Sequence, residues 1–488
     1  MNCHNRPDSA GAGLPAGCRH ANVRYPFPRR WINGARSHSI PMAILLALFG
    51  CLPTYAFQKL SSTELLTNGS AEDTQKAVNA ATNGMIILLP NGVYDWNRQV
   101  TNSNGTAIHL IARNIGKTTI RRRYTKGDML LINASKNGYA EISGIRFNDP
   151  YADSDVNWSF CVDVNQLSGL PVLIHDCSFV CRSGSGFNYT LRFIGNGGVV
   201  WNCSFASKGD MLGGISFVNT TTNGDVWNQA DTMGAAPDST GLNNGDPAGS
   251  SDTYVENCLF QDMDIFCTNF DDNSRAVVRY CTLNNASLGS HGQDTSPIGS
   301  RHWEIYNNTF NYSTSGKAFG GDRYPLNMNT WFTVRGGTGV ITNNSMDDIP
   351  YNKTGIQLSV YSINRVDAIS CQTAYPAAHQ AGQGWSSAST AQYGNPAVSK
   401  DGTGAVPDAI YIWNNTGTET TDPGYVGLYQ FTPDQCGNNE KIGTFLQEGR
   451  DYFVNEARPG WTPYTYPHPL RANALGPSGS APLALPSK

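Results

Sequence analysis

Apolar positions along this chain fall in short clusters of two or three separated by a polar pair, and one such phrase recurs. It reads Tyr-Val-Glu-Asn-Cys-Leu-Phe at 254–260, Val-Val-Arg-Tyr-Cys-Thr-Leu at 277–283, Glu-Ile-Tyr-Asn-Asn-Thr-Phe at 304–310 and Val-Ile-Thr-Asn-Asn-Ser-Met at 340–346. Counted on the closing apolar residue, the steps are 23, 27 and 36 residues, the spacing of stacked supersecondary units rather than of separate domains. Earlier copies stand at 173–179 and 199–205, and a fainter one ends at Phe147. A β-branched or aromatic start, a polar pair and an apolar close predict a strand, a tight bend and the opening of a second strand. Stacking such units aligns like with like. Cys177, Cys203, Cys258 and Cys281 then share one corner register, which Asn308, Asn344 and Asn415 continue. The thiols are expected to be packing residues rather than redox or metal groups, because a buried free cysteine behaves as a small hydrophobe.

Helical periodicity is convincing at one place only. The segment 70–84 opens on Ser70 with Glu72 and Asp73 in its first turn, which predicts a capped helix closing the N-terminal end of the stack. An open end would expose apolar surface and strand edges. From Met85 onward short strands alternate with Gly, Asn and Ser turns. Residues 219–252 lack an aliphatic pattern, so they are expected to form a loop folded over the flank. After Asp347 the phrase fades. Over 371–470 Pro, Gly and aromatic residues replace regular strands, apart from Ile410-Tyr-Ile-Trp-Asn-Asn415. The proline-rich stretch 458–469 cannot be a helix and is expected to lie along the side of the stack. The division is therefore 1–56 leader, 57–350 solenoid, and 351–488 C-terminal coils and extension.

Composition agrees with this reading. Among 488 residues only 15% are charged and 51 are Gly, which suits a single long core with a turn every few residues. The formal net charge of −4 gives no footprint for nucleic acid or an anionic membrane surface. Residues 1–41 carry several arginines and almost no acids, and an apolar run of ten follows at 43–52. That is the grammar of an export signal with a cut after Ala56, too short to span a bilayer. Secretion or a periplasmic location is expected, with no integral membrane segment in the mature chain. Lipoprotein anchoring at Cys51 is the less favoured alternative. In an exported protein Cys371 and Cys436, which lie outside the ladder, are candidates for a disulfide.

The Asn-Asn-Thr-Phe type phrases, together with the opening Ala77-Val-Asn-Ala-Ala-Thr-Asn-Gly-Met-Ile-Ile-Leu-Leu-Pro-Asn-Gly-Val-Tyr94, resemble the right-handed parallel β-helix proteins of the pectin-lyase-like superfamily over residues 60–350. The resemblance implies an all-β, right-handed parallel β-helix solenoid with an N-terminal capping helix and an irregular C-terminal extension. It identifies a fold, and the function has to be argued from a site.

Polar residues concentrate without a turn to explain them at 288–304, which holds His291, Asp294, Arg301 and His302, with Asp271, Asp272 and Arg275 one coil earlier. Neighbouring strands stand about 4.8 Å apart, so these side chains can meet in one groove. The vocabulary suits β-elimination from a uronic acid, which needs a cation for the carboxylate, a base for the C5 proton and a proton for the leaving oxygen. Arg301 is then expected to meet the carboxylate and His291 to be the base, while Asp271 with Asp272 or Asp294 could hold a calcium ion (Ca2+). His302, Trp303, Asp322, Arg323, Tyr324 and Arg335 are expected to extend the groove and bind substrate. Hydrolysis by two carboxylates is the first alternative. Asp271-Asp272, Gly289-Ser-His-Gly292 and Arg301 look like the catalytic layout of β-helix polygalacturonases, whose Asn-Thr-Asp phrase is replaced here by Asp262 and Asp264 at most. The second alternative is a glycan-binding or adhesin-like protein, with Trp201, Trp303, Tyr306, Trp331 and Trp385 as sugar platforms. In every case the partner is a polysaccharide.

Overall fold

The computed structural model describes residues 57–485, apart from breaks at 125–126, 150–158, 167–169, 182–188, 196, 208–213, 220–251, 264–265, 293–298, 314–329, 350–354, 365–370, 372, 378, 386–404, 418–424, 430–433 and 439–440. The leader, Cys51 and nearly all of the 219–252 loop lie outside the described residues.

One turn of the chain makes three strands in succession, for example Val172–His175, Ser178–Cys181 and Leu191–Ile194. Each pairs with its counterpart in the next turn, building three sheets of 13, 9 and 10 strands. Pairing within them is parallel, except that Gln58–Lys59 meets Glu64–Leu66 antiparallel at the start of the first sheet. The architecture is a right-handed parallel β-helix. Coil pairing continues past residue 350 through Ile356–Leu358, Ile410–Trp413, Val426–Leu428 and Tyr452–Val454.

The bend between the first and second sheets explains the repeated phrase. Its first residue takes a left-handed backbone, with φ 53° at Asp176, 51° at Asn202, 51° at Asn257, 57° at Asn307 and 55° at Asn343. Asn and Asp tolerate that region because their short side chains bond locally. The second residue then points inward. Cys177, Cys203, Cys258 and Cys281 are buried there, each with Sγ against a backbone carbonyl of the preceding coil. The amide half of the ladder is hydrogen-bonded. Asn308 Oδ1 accepts from Cys281 N at 2.9 Å, Asn308 Nδ2 donates to Asn344 Oδ1 at 3.0 Å, and Asn344 Nδ2 donates to Asn415 Oδ1 at 2.9 Å. Beside the ladder Phe147, Phe179, Phe205 and Phe260 stack at 5.2, 5.0 and 4.9 Å.

The capping helix α1 spans Ala71–Ala80, with the Ser70 hydroxyl accepting from Asp73 N. It stops short of residue 84 because the chain turns at Gly84, φ 81°, to enter the strand Met85–Leu89. Gln75 closes the exposed edge of the third sheet. Its Nε2 donates to Thr101 O at 2.9 Å and its Oε1 accepts from Thr101 N at 2.7 Å, taking the place of a missing strand. Among the described residues no helix is long and apolar enough to cross a membrane.

The C-terminal extension returns along the outer face of the first sheet as a strap. Trp461 packs on Trp413 and Tyr306, Tyr466 stacks on Tyr280 at 3.7 Å, and Leu475 N and Gly476 N donate to Glu141 at 2.8 and 2.7 Å. Finally, Leu483 N donates to Asn202 O at 3.1 Å. Under it lies a charged layer. Arg279 Nε donates to Glu256 Oε1 at 2.8 Å and Arg279 Nη1 to Tyr464 O at 2.6 Å, with both side chains fully buried. His175 sits between Asp176 (2.7 Å) and Glu141 (2.9 Å). Cys371 and Cys436 form a disulfide, Cα to Cα 5.4 Å.

Candidate active-site groove

Third-sheet strands alternate strictly. Phe270 is inward, Asn269 outward, and the outward series Ser216, Asn269, Gly289, Thr333 follows from the strand register. Two residues beyond the last three stand Asp271, His291 and Arg335, so all three leave the same edge on the same side in successive coils. One backbone bond and one to a side chain lock this register: His291 N donates to Phe270 O at 2.7 Å, and Arg335 N to Ser290 Oγ at 3.0 Å.

The three side chains meet. Arg335 Nη2 lies 3.2 Å from His291 Nε2, and His291 Nδ1 lies 3.9 Å from Asp271 Oδ2. A guanidinium can only donate, so Nε2 carries the lone pair and Nδ1 the proton, directed towards the carboxylate. The His291 side chain keeps 18% of its surface and Asp271 11%, so the imidazole is the group that a ligand reaches first. Arg335 is held between the Phe266 ring (5.6 Å) and the Tyr361 ring (4.8 Å). Phe266 reaches across from the opposite wall, its ring lying where a side chain at Gly289 would stand. Farther along, Phe160 and Tyr189 pack with Phe266. Burial first, and the Asp271 charge second, push the Tyr189 phenol well above its ordinary range, so it stays protonated. On the floor, Ser216 Oγ and Asn269 Oδ1 are buried without a hydrogen-bond partner among the described residues, at a cost of about 1–3 kcal/mol each unless a ligand or water satisfies them.

Several expected members take other places. Arg301 is 1% exposed. Arg335, at 8%, is the less buried of the two guanidinium groups. Trp303 is a core residue, edge-on to Phe332 at 4.9 Å. His302 points out from the first sheet, not the third, and is fully buried with Asp252 Oδ1 at 3.0 Å and Glu304 Oε1 at 3.4 Å. Asp272 is a turn residue, φ 39°, whose amide donates to Asp271 Oδ1 at 2.9 Å. Trp201, Tyr306 and Trp331 are each at most 1% exposed, which removes them as sugar platforms. The side chain of Trp385, and Asp294, Asp322, Arg323 and Tyr324, lie outside the described residues.

Among the described residues no group of three His, Cys, Asp or Glu side chains could hold a metal ion, and Asp294 of the expected Ca2+ set lies outside them. Sequence reasoning missed Tyr189, Phe266, Asn269 and Ser216. Counting two back from Asp271, the same parity that places His291, would have found Asn269.

No family model matches the chain, and no curated protein matches its sequence. Among solved structures it is similar to a PL6 family polysaccharide lyase from Pseudopedobacter saltans, with 13% identity, coverage of 86% of this chain and 92% of that one, and a TM-score of 0.40. An alginate lyase from Paenibacillus sp. gives 9% identity, coverage of 76% and 99%, and a TM-score of 0.37. The pectin methylesterase of Aspergillus niger gives 11% identity, coverage of 80% and 99%, and a TM-score of 0.29.

Proposed function

We propose that this protein is an exported, carbohydrate-active β-helix enzyme that cleaves a uronic-acid-containing glycan by β-elimination. The observation that carries the reading is the contact between Arg335 and His291 beside Asp271. A guanidinium offers a paired bond to the C5 carboxylate. Once the carboxylate takes Arg335, the His291 Nε2 lone pair is released towards the acidic C5 hydrogen. His291 accepts that proton, the C5 electron pair forms the C4–C5 double bond, and the C4–O4 bond breaks. The imidazolium, steadied by Asp271 through Nδ1–H, returns the proton to the leaving oxygen.

Hydrolysis needs two carboxylates facing the glycosidic bond, and the described groove offers Asp271 tied to its imidazole neighbour. Export is part of the same proposal, supported by the leader sequence and by the Cys371–Cys436 disulfide. The purified chain is to be incubated with a panel of uronic-acid and neutral polymers. New absorbance near 230–240 nm marks an unsaturated uronate. Reducing ends formed without that absorbance would replace elimination by hydrolysis, and retention of polymer without either would leave a binding protein.

A further inference from the structure

A second polar site lies on the same edge of the solenoid, in the N-terminal coils. A cleft of about 400 Å³ is lined by Ser103, Asn104, Asn133, Lys136, Asn137 and Asn165. These residues end or follow third-sheet strands in three successive coils, Val100–Asn102, Leu130–Asn133 and Val162–Asn165, the turn from which Asp271, His291 and Arg335 also project. The volume is in the range of small-ligand sites. Its chemistry is unlike that of an apolar pocket: four amides, a hydroxyl and one ammonium.

Part of this lining is already used by the fold. Asn133 Nδ2 donates to Asn102 O at 3.0 Å, and Asn104 Oδ1 accepts from Ser103 Oγ at 3.4 Å. Those bonds fix the walls. Lys136 and Asn137 are exposed and adjacent at the rim, and neither side chain makes an ion pair or hydrogen bond among the described residues. Amides both donate and accept, as sugar hydroxyls do, and an ammonium suits a carboxylate.

We infer that this cleft is a remote anchoring site for the same acidic glycan, holding the chain parallel to the solenoid axis; the inference rests on the uronate reading of the groove for its ligand class. Along the third sheet the cleft's coils and the His291 coil are separated by four to six strand steps, about 19–29 Å at ~4.8 Å per step. That is the reach of a short oligosaccharide, so a polymer can occupy both sites at once and a disaccharide cannot. Occupying the anchor raises the effective concentration of the polymer at the groove without any new contact there.

The test is the double variant Lys136→Ala/Asn137→Ala, whose side chains are exposed, assayed on polyuronates and on defined di- and trisaccharide uronates. The expected result is a rise of about tenfold or more in KM for polymer, with kcat for polymer and kcat/KM for the short substrates unchanged. Unchanged polymer KM would overturn the proposal, and so would an equal loss on short substrates. Affinity electrophoresis in polyuronate gels separates this from the catalytic reading. Retardation of the wild-type chain, lost in the double variant and kept in His291→Ala, supports the anchor even if no elimination is seen. Equal retardation of the double variant and the wild type would sink it.

Discussion

Arg335 and His291, 44 residues apart in the chain, stand 3.2 Å apart across the mouth of the groove because both lie two residues beyond an outward position of the third sheet. Replacing either should remove chemistry without removing the fold. Arg335→Lys and His291→Ala are each expected to lower turnover at least about a hundredfold, the lower range for an acid–base partner. Thermal midpoints should stay within a few degrees. Arg301→Lys is the informative control: a melting point that drops with little change in kcat for the remaining folded enzyme fits its buried position, whereas a selective loss of turnover would return it to the active site.

The thiol ladder should be inert in the native state. All four thiols are closed off from solvent, so a thiol reagent near pH 8 should label the ladder only after denaturation. Cys258→Asn should be tolerated better than Cys258→Leu, because Asn308 shows that an amide at this corner finds both a backbone carbonyl and the next rung. Fast native labelling, or equal destabilisation by the two variants, would contradict the packing.

Removing one partner of the buried ion pair beneath the strap should be costly. Arg279→Met leaves the fully buried Glu256 carboxylate with Arg471 alone, at 3.3 Å, and a loss of up to about 3–5 kcal/mol is expected in chemical denaturation. Arg279→Met combined with Glu256→Leu should recover much of it. A double variant as unstable as the single one would show that the strap needs the charges themselves.

Stability should fall on both sides of neutrality. Burial disfavours the charged form of His175, but its bonds to Asp176 and Glu141 outweigh this and raise its pKa from 6.5 to about 9. The stability it contributes is fully present below pH 6.5 and is lost as pH rises through about 9. His468 behaves oppositely: burial first, then Arg279 and Arg471, lower its pKa from 6.5 to about 3. The unfolded chain therefore binds a proton that the folded one refuses, and stability declines as pH falls from 6.5 towards 3. His175→Asn should flatten the alkaline limb of a melting-temperature profile; an unaltered alkaline limb would mean that His175 is not charged in the fold.

N-terminal sequencing of the exported protein should begin near Phe57. A start at Met1 in a cytosolic fraction would overturn the export proposal.

The fold was legible because each coil restates one rule: a left-handed Asn or Asp, then a small buried residue, then an apolar close. The exception is instructive. Tyr280 holds the same left-handed backbone, φ 55°, where a bulky side chain is disfavoured, and its ring stacks on Tyr466 of the strap, a partner that no local pattern could reveal. The site was legible in part. Coil spacing put His291 and Asp271 in one groove and Arg335 one coil further on as a substrate-binding residue, whereas Arg301, His302 and Trp303 could not be sorted by spacing alone. The turn from the third sheet to the first resets the inward and outward parity, and its length in each coil decides which of three consecutive residues faces the groove. The opposite wall, Tyr189 and Phe266, comes from turns whose sequences share no phrase.

The strap changes what kind of thermodynamic object the solenoid is. In a plain repeat protein, stability is a sum over neighbouring coils and either end can fray alone. Here a single segment is pinned at Trp413 near the late coils, at Glu256 midway and at Glu141 near the early ones. Opening an early coil therefore loosens a tether that also holds a late one, and contacts far apart along the axis melt together. Synthesis runs the other way from this closure: the strap is made after every coil that it binds, so the coils become one cooperative unit only once it has followed them.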